Sequence, residues 1–151
     1  MSGPRPDRVS ARARSRARRL AMQALYQWQM GGEPAGVLCA QFSASTGFDR
    51  ADQAYFRELV ERIIAGKDRI EARMAEFGDR EGALLDPVEH AILLIGVYEL
   101  ERRPDVPYRV VINEAVELAK RFGAAEAHKY VNAVLDSAAR SLRGTERLAH
   151  R

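Results

Sequence analysis

Residues 11–30 read ARARSRARRLAMQALYQWQM, a stretch without glycine or proline in which five arginines fall within residues 12–19 before an apolar segment follows. At about 100° per residue, Ala13, Ala17, Leu20, Ala21, Ala24 and Trp28 fall on one stripe, the apolar face of a packed helix. Arg12, Arg16, Arg19 and Gln23 follow at i, i+4, i+7 and i+11 and form a polar ladder beside that stripe, with Tyr26 near its end. Arg14 and Arg18 are read as the other flank. One face of the helix grips a domain, and the other is free to track phosphates.

The rest of the chain reads as helices separated by breakers. Gly31 and Gly32 end the first helix, and the loop to Phe48 holds at most one short helix around residues 37–42. Tyr55, Phe56, Leu59, Val60, Ile63 and Ile64 recur at helical spacing and continue through Ile70, Met74 and Phe77, as one long helix or two broken at Gly66. In "DPVE", Asp86 can cap, Pro87 suits the first helical position and Glu89 can reach back as in a capping box. That helix runs to about Leu100 and stops before Pro104. Ile112, Ala115, Val116, Ala119 and Phe122 mark another, closed by Gly123, and Tyr130, Val131, Val134, Leu135 and Ala138 mark the last. With no alternating apolar pattern and no repeat, the fold class is all-α.

With 151 residues and 46% hydrophobic content, the chain can bury the core of one compact domain. The net charge of +3 hides an asymmetry: residues 1–19 carry seven arginines against Asp7, a net +6, and the remainder is net −3. A neutral body with a basic arm suits a polyanion, because clustered arginine neutralises phosphates, releases counterions and offers forked hydrogen bonds. A solvated tail and an arginine-rich transit peptide are the alternatives that charge alone leaves open. The single Cys39 excludes an internal disulfide, and no apolar run long enough for a membrane span is present. A cytoplasmic protein is expected.

Catalytic patterns are missing. His90, His128 and His150 lack metal-site spacing, the glycines form neither a P-loop nor a dinucleotide fingerprint, and no nucleophile elbow is present. Pairs such as Glu58 with Glu61 and Glu114 with Glu117 have helix-surface spacing, so no enzyme, metal or cofactor is expected. Residues 121–132, RFGAAEAHKYVN, form a second basic patch with Lys120, where Arg121, His128 and Lys129 interleave with Phe122 and Tyr130. Cations with aromatic rings suit single-stranded RNA, and a core role for Phe122 and Tyr130 fits equally well. Tyr26 and Glu89 form a third candidate, a protein-partner anchor, with Glu89 equally explained by capping.

Three segments carry a resemblance: ARSRARRLAMQALYQWQ, LLDPVEHAILLIGVYEL and DVPYRVVINEAVELAKRFGAAEAHKYVNAVLD. In this order they resemble the NusB family of bacterial transcription antitermination factors over residues 12–142. The resemblance implies two small helical bundles packed into one domain, no catalytic activity, and binding of the boxA element of nascent ribosomal RNA transcripts. NusE, also a small-subunit ribosomal protein, is the implied partner, within the RNA polymerase antitermination complex. It implies RNA contacts at Arg12, Arg14, Arg16, Arg18 and Arg19 and at Phe122, Glu126, Lys129 and Tyr130, and NusE contacts at Tyr26 and Glu89. Ser15 interrupts the arginine run. Residues 1–11 are read as a flexible basic extension and 143–151 as a C-terminal tail. The alternatives are an RNA-binding domain related to ribosomal RNA cytosine methyltransferases, disfavoured because no Gly-rich cofactor loop follows, and a structural homodimer.

Overall fold

The computed structural model describes residues 6–78 and 85–149 and contains no strand among them. Its helices are α1 (Pro6–Gly31), α2 (Ala35–Ser43), α3 (Gln53–Ala65), α4 (Lys67–Phe77), α5 (Pro87–Arg102), α6 (Tyr108–Phe122), α7 (Ala127–Leu142) and α8 (Gly144–Ala149), with one 3-10 turn at Phe48–Arg50. They group into two compact units that divide between Ala65 and Gly66. α1 takes in residues 6–11, which the sequence assigns to the N-terminal extension; residues 1–5 of that extension lie outside the described residues.

In the first unit α1 packs on α3 and α2. Its buried apolar positions are Ala17, Leu20, Ala21, Met22, Ala24 and Leu25; Met22 and Leu25 widen the expected stripe, whose end members Ala13 and Trp28 are only half-buried. Gly32 ends the helix in the left-handed region at φ +70° and donates its N–H to the Trp28 carbonyl at 2.7 Å. Fully buried Phe56 of α3 sits 5.4 Å from the Phe48 ring, edge to face, and 5.9 Å from Phe42 of α2. Asp52 joins α1 to α3. Its amide donates to the Ala13 carbonyl at 2.9 Å, while its carboxylate accepts from the Tyr55 amide at 3.1 Å and so satisfies a donor in the first turn of α3.

In the second unit α5 is the central helix, packed against α4, α6 and α7 and buried continuously from Glu89 to Leu100. Its start follows the sequence: Asp86 accepts from the Val88 amide at 2.8 Å, and Pro87 opens the helix. A Cβ placed on Gly96 would lie 2.7 Å from the Leu135 methyls, so this glycine lets α7 approach α5 closely. Gly66 separates α3 from α4, which resolves the sequence alternatives in favour of two helices.

The expected C-terminal tail instead carries α8, held by the buried Arg143. The Arg143 guanidinium donates to the carbonyls of Leu100 (2.8 Å), Val106 (2.9 Å), Glu99 (3.1 Å) and Arg103 (2.7 Å) and pairs with Glu146. Glu99 and Leu100 lie in the last turn of α5 and Arg103 caps it, so the guanidinium gathers carbonyls at the helix C-terminus, two of which, Glu99 and Arg103, also accept backbone amides. Glu146 in turn accepts from the Tyr108 amide at 3.0 Å, at the start of α6.

Candidate nucleic-acid interface

The arginines of α1 separate into two groups, and a helical wheel shows why. At about 100° per residue, Arg14 falls between Ala21 and Leu25, and Arg18 between Leu25 and Met22, inside the sector those residues bury. Arg18 is 3% exposed with its guanidinium 5.6 Å from the Tyr55 ring centre. Arg14 lies 4.4 Å over the same ring and 3.5 Å from the Asp52 carboxylate. Both are cation–π and packing groups of the first unit. The expectation that Arg18 contacts RNA is therefore corrected, and Arg14 is held half-buried by its own neighbours.

Arg12, Arg16 and Arg19 lie across the wheel from that sector. Arg12 is exposed and Arg16 and Arg19 are half-buried. Gln23, Tyr26 and Met30 continue the same face, with Tyr26 41% and Met30 64% exposed. The basic end and Tyr26 are thus two ends of one surface, about 20 Å apart from Arg12 at a rise of 1.5 Å per residue.

The second patch belongs to the other unit, at the turn between α6 and α7. Glu126 occupies the cap position of α7, and its carboxylate meets the Lys129 ammonium at 2.7 Å, both groups well exposed. Lys120 faces Glu117 at 3.8 Å, and the Arg121 guanidinium lies 5.0 Å over the Phe122 ring. The patch is consequently less basic than its sequence, although exposed ion pairs of this kind are worth under about 1 kcal/mol and give way to a phosphate. Tyr130 is half-buried, and a Cβ placed on Gly78 would lie 2.7 Å from its hydroxyl. That hydroxyl packs against the backbone at the end of α4, so Tyr130 has a structural role beside any contact with RNA. Glu89 is 6% exposed in the first turn of α5, which corrects its reading as a surface anchor.

Sequence reasoning missed Asp52 and Tyr55, which hold Arg14, and a group of arginines on α6, α7 and α8 described below. The signal for the first was present: an aspartate three residues before the apolar run that opens α3. Among the described residues no group of three His, Cys, Asp or Glu side chains could hold a metal ion, and no helix is long and apolar enough to cross a membrane.

These features define a small all-helical protein that offers a basic helix face to polyanions. The NusB family model matches residues 15–140, and the chain belongs to that family. Transcription antitermination protein NusB of Thiobacillus denitrificans is 46% identical over 136 residues, 90% of this chain and 94% of that protein. NusB of Xylella fastidiosa is 47% identical over 147 residues, 95% and 94% of the two chains. Among solved structures, antitermination factors NusB and NusE in complex with dsRNA match with a TM-score of 0.70 and 26% identity, covering 86% of this chain and 98% of that one. T. maritima NusB matches at 0.67 and 27%, covering 83% and 89%.

Proposed function

We propose that this chain is a non-catalytic transcription antitermination factor that binds single-stranded boxA RNA of nascent ribosomal RNA transcripts together with NusE, in the RNA polymerase antitermination complex of the cytoplasm. The observation that carries the reading is the outward-facing ladder of exposed Arg12 and half-buried Arg16 and Arg19, on a helix whose Arg14 and Arg18 are stowed against Tyr55. Guanidinium groups fixed on a helix are pre-organised for phosphate oxygens, and they supply the salt-dependent, sequence-tolerant part of RNA affinity. Phe122 and Lys129 add a partly accessible ring and a displaceable cation at the second patch. Tyr26, exposed at the far end of the α1 face, is the NusE contact.

Relatives about 46–47% identical over nine tenths or more of this chain carry the antitermination name, and a structure of the same fold holds NusE and dsRNA. The test is a binding titration with boxA-containing and scrambled RNA. Affinity that falls with salt at about −0.7 per neutralised phosphate in log–log form, and a preference for boxA that grows when NusE is added, are the expected results. Salt-independent binding, or none to either RNA, contradicts the reading.

A further inference from the structure

A second group of arginines lies at the opposite end of the α6–α7 pair from the Phe122–Lys129 patch, about 20 Å away given the fifteen residues of α6. Arg109 of α6, Arg140 of α7 and Arg147 of α8 line an open cleft of about 640 Å³ with Tyr108, Gly144 and Thr145. Tyr108 organises it. Its ring, in a residue 7% exposed, lies under the guanidinium of Arg147 at 5.1 Å and that of Arg109 at 5.8 Å, and its hydroxyl accepts from Arg109 Nε at 3.2 Å. Asp136 meets Arg140 at 2.6 Å and Arg147 at 3.0 Å, so one carboxylate serves two cations. Arg109 meets no carboxylate among the described residues. The Glu146 carboxylate is engaged by Arg143 and the Tyr108 amide. The cleft therefore keeps an excess of positive charge, on guanidiniums that a ring and a shared acid already hold in place.

We propose that this cleft is a second phosphate-binding site, which holds the sugar–phosphate backbone of single-stranded RNA beyond the Phe122–Lys129 patch. It rests on the RNA-binding reading above. The chemistry favours a backbone over a base or a protein. The aromatic ring is buried and offers no stacking platform, and three guanidiniums and Thr145 line the cleft beside one large apolar side chain, Leu148. Protein partners are anchored mainly by buried aromatic and apolar side chains, whereas phosphates are held by forked donors and charge. The contacts are independent of RNA sequence, so the site lengthens the bound RNA without changing its specificity.

The test uses the full chain and two RNAs, one of about 6 nucleotides, within the span of a single small site, and one of about 20. The variants are the Arg109→Gln, Arg140→Gln double substitution and Arg109→Glu alone, which breaks no ion pair among the described residues. Deprived of two phosphate-binding guanidiniums, the double variant binds the long RNA about tenfold more weakly and its salt slope flattens by about 1.4, while the short RNA is unaffected. Arg109→Glu weakens the long RNA in the same direction, and circular dichroism verifies that both variants are folded. Unchanged affinity and slope for the long RNA, with wild-type protein still binding both, overturn the cleft and leave the RNA reading standing. Failure of wild-type protein to bind either RNA overturns the RNA reading itself. A glutamate-rich peptide that binds wild type and is lost from the variants, while long-RNA binding is kept, overturns the proposal in favour of an acidic protein.

Discussion

Arg18→Ala and Arg16→Ala, two residues apart on one helix, are expected to fail in opposite ways. Arg18 is 3% exposed and stacks over Tyr55, itself 2% exposed. A desolvated cation–π contact is worth about 2 kcal/mol. Three buried methylenes of the arginine stem at about 0.8 kcal/mol each add roughly as much. Truncation therefore costs about 3–5 kcal/mol, a large share of the 5–15 kcal/mol that holds a typical domain folded. At about 2–4 °C per kcal/mol for a chain of this size, the thermal midpoint falls by roughly 6–20 °C. Affinity for RNA, measured by anisotropy well below that midpoint, stays within about twofold of wild type, since a loss of about 0.4 kcal/mol or less is expected for a residue off the RNA face. Arg16→Ala shifts stability by under about 0.5 kcal/mol, as surface substitutions do. It flattens the salt slope for RNA by about 0.7. Arg18→Met, which keeps the stem and removes the charge, recovers part of the stability. A stable Arg18→Ala protein with weakened RNA binding would refute the assignment of Arg18 to the packing of α1.

Three further outcomes follow from the same contacts. Arg143→Ala strips four carbonyls and Glu146 of one buried donor group and is expected to cost about 3–5 kcal/mol in urea or thermal unfolding; a loss under about 1 kcal/mol would show that water replaces the clamp. Glu126→Gln releases Lys129 and removes a negative charge from the second patch, so RNA binding tightens by about two- to thirtyfold, most at low salt, and no change at any salt places Glu126 off the RNA face. His90, whose Nε2 lies 3.0 Å from Glu71, is held below the ordinary imidazole range by burial, with Glu71 opposing. Because protonation then favours the unfolded chain, stability is full above about pH 6.5 and declines as pH falls below it, and a His90→Gln protein whose unfolding midpoint keeps the same pH dependence between 7.5 and 5.5 would assign that dependence to other groups.

The helices were legible because each carries its own period, cap or breaker: Asp86 and Pro87 start α5, Gly32 stops α1, and Gly66 separates α3 from α4. The division of labour among the arginines was legible in part. A stripe drawn through the alanines omitted Met22 and Leu25, and adding those two widens the buried sector until it encloses Arg14 and Arg18. The wheel held that information; the weight given to alanine obscured it. Other features arise only on folding. Arg109, Arg140 and Arg147 are spread over nearly forty residues and meet through Tyr108 and Asp136, a grouping no local spacing encodes. α8 is six residues long, too short for a periodic signal, and depends on Arg143 reaching back to carbonyls more than thirty residues away. Glu89 reads as a surface acid in sequence and is buried because α5 is enclosed on every side from that residue onward.

The central claim, that this chain binds RNA and NusE as one assembly, is tested most directly by a thermodynamic cycle. RNA affinity is measured with and without saturating NusE, and NusE affinity with and without saturating boxA RNA. Linkage requires the two ratios to be equal, and for couplings of usual size they lie at about 5- to 150-fold. Tyr26→Ala is expected to weaken NusE binding while leaving RNA binding by the isolated protein intact, and replacing Arg12, Arg16 and Arg19 by alanine to do the reverse. Ratios of one in both directions, or equal loss of both ligands in Tyr26→Ala, would contradict the claim.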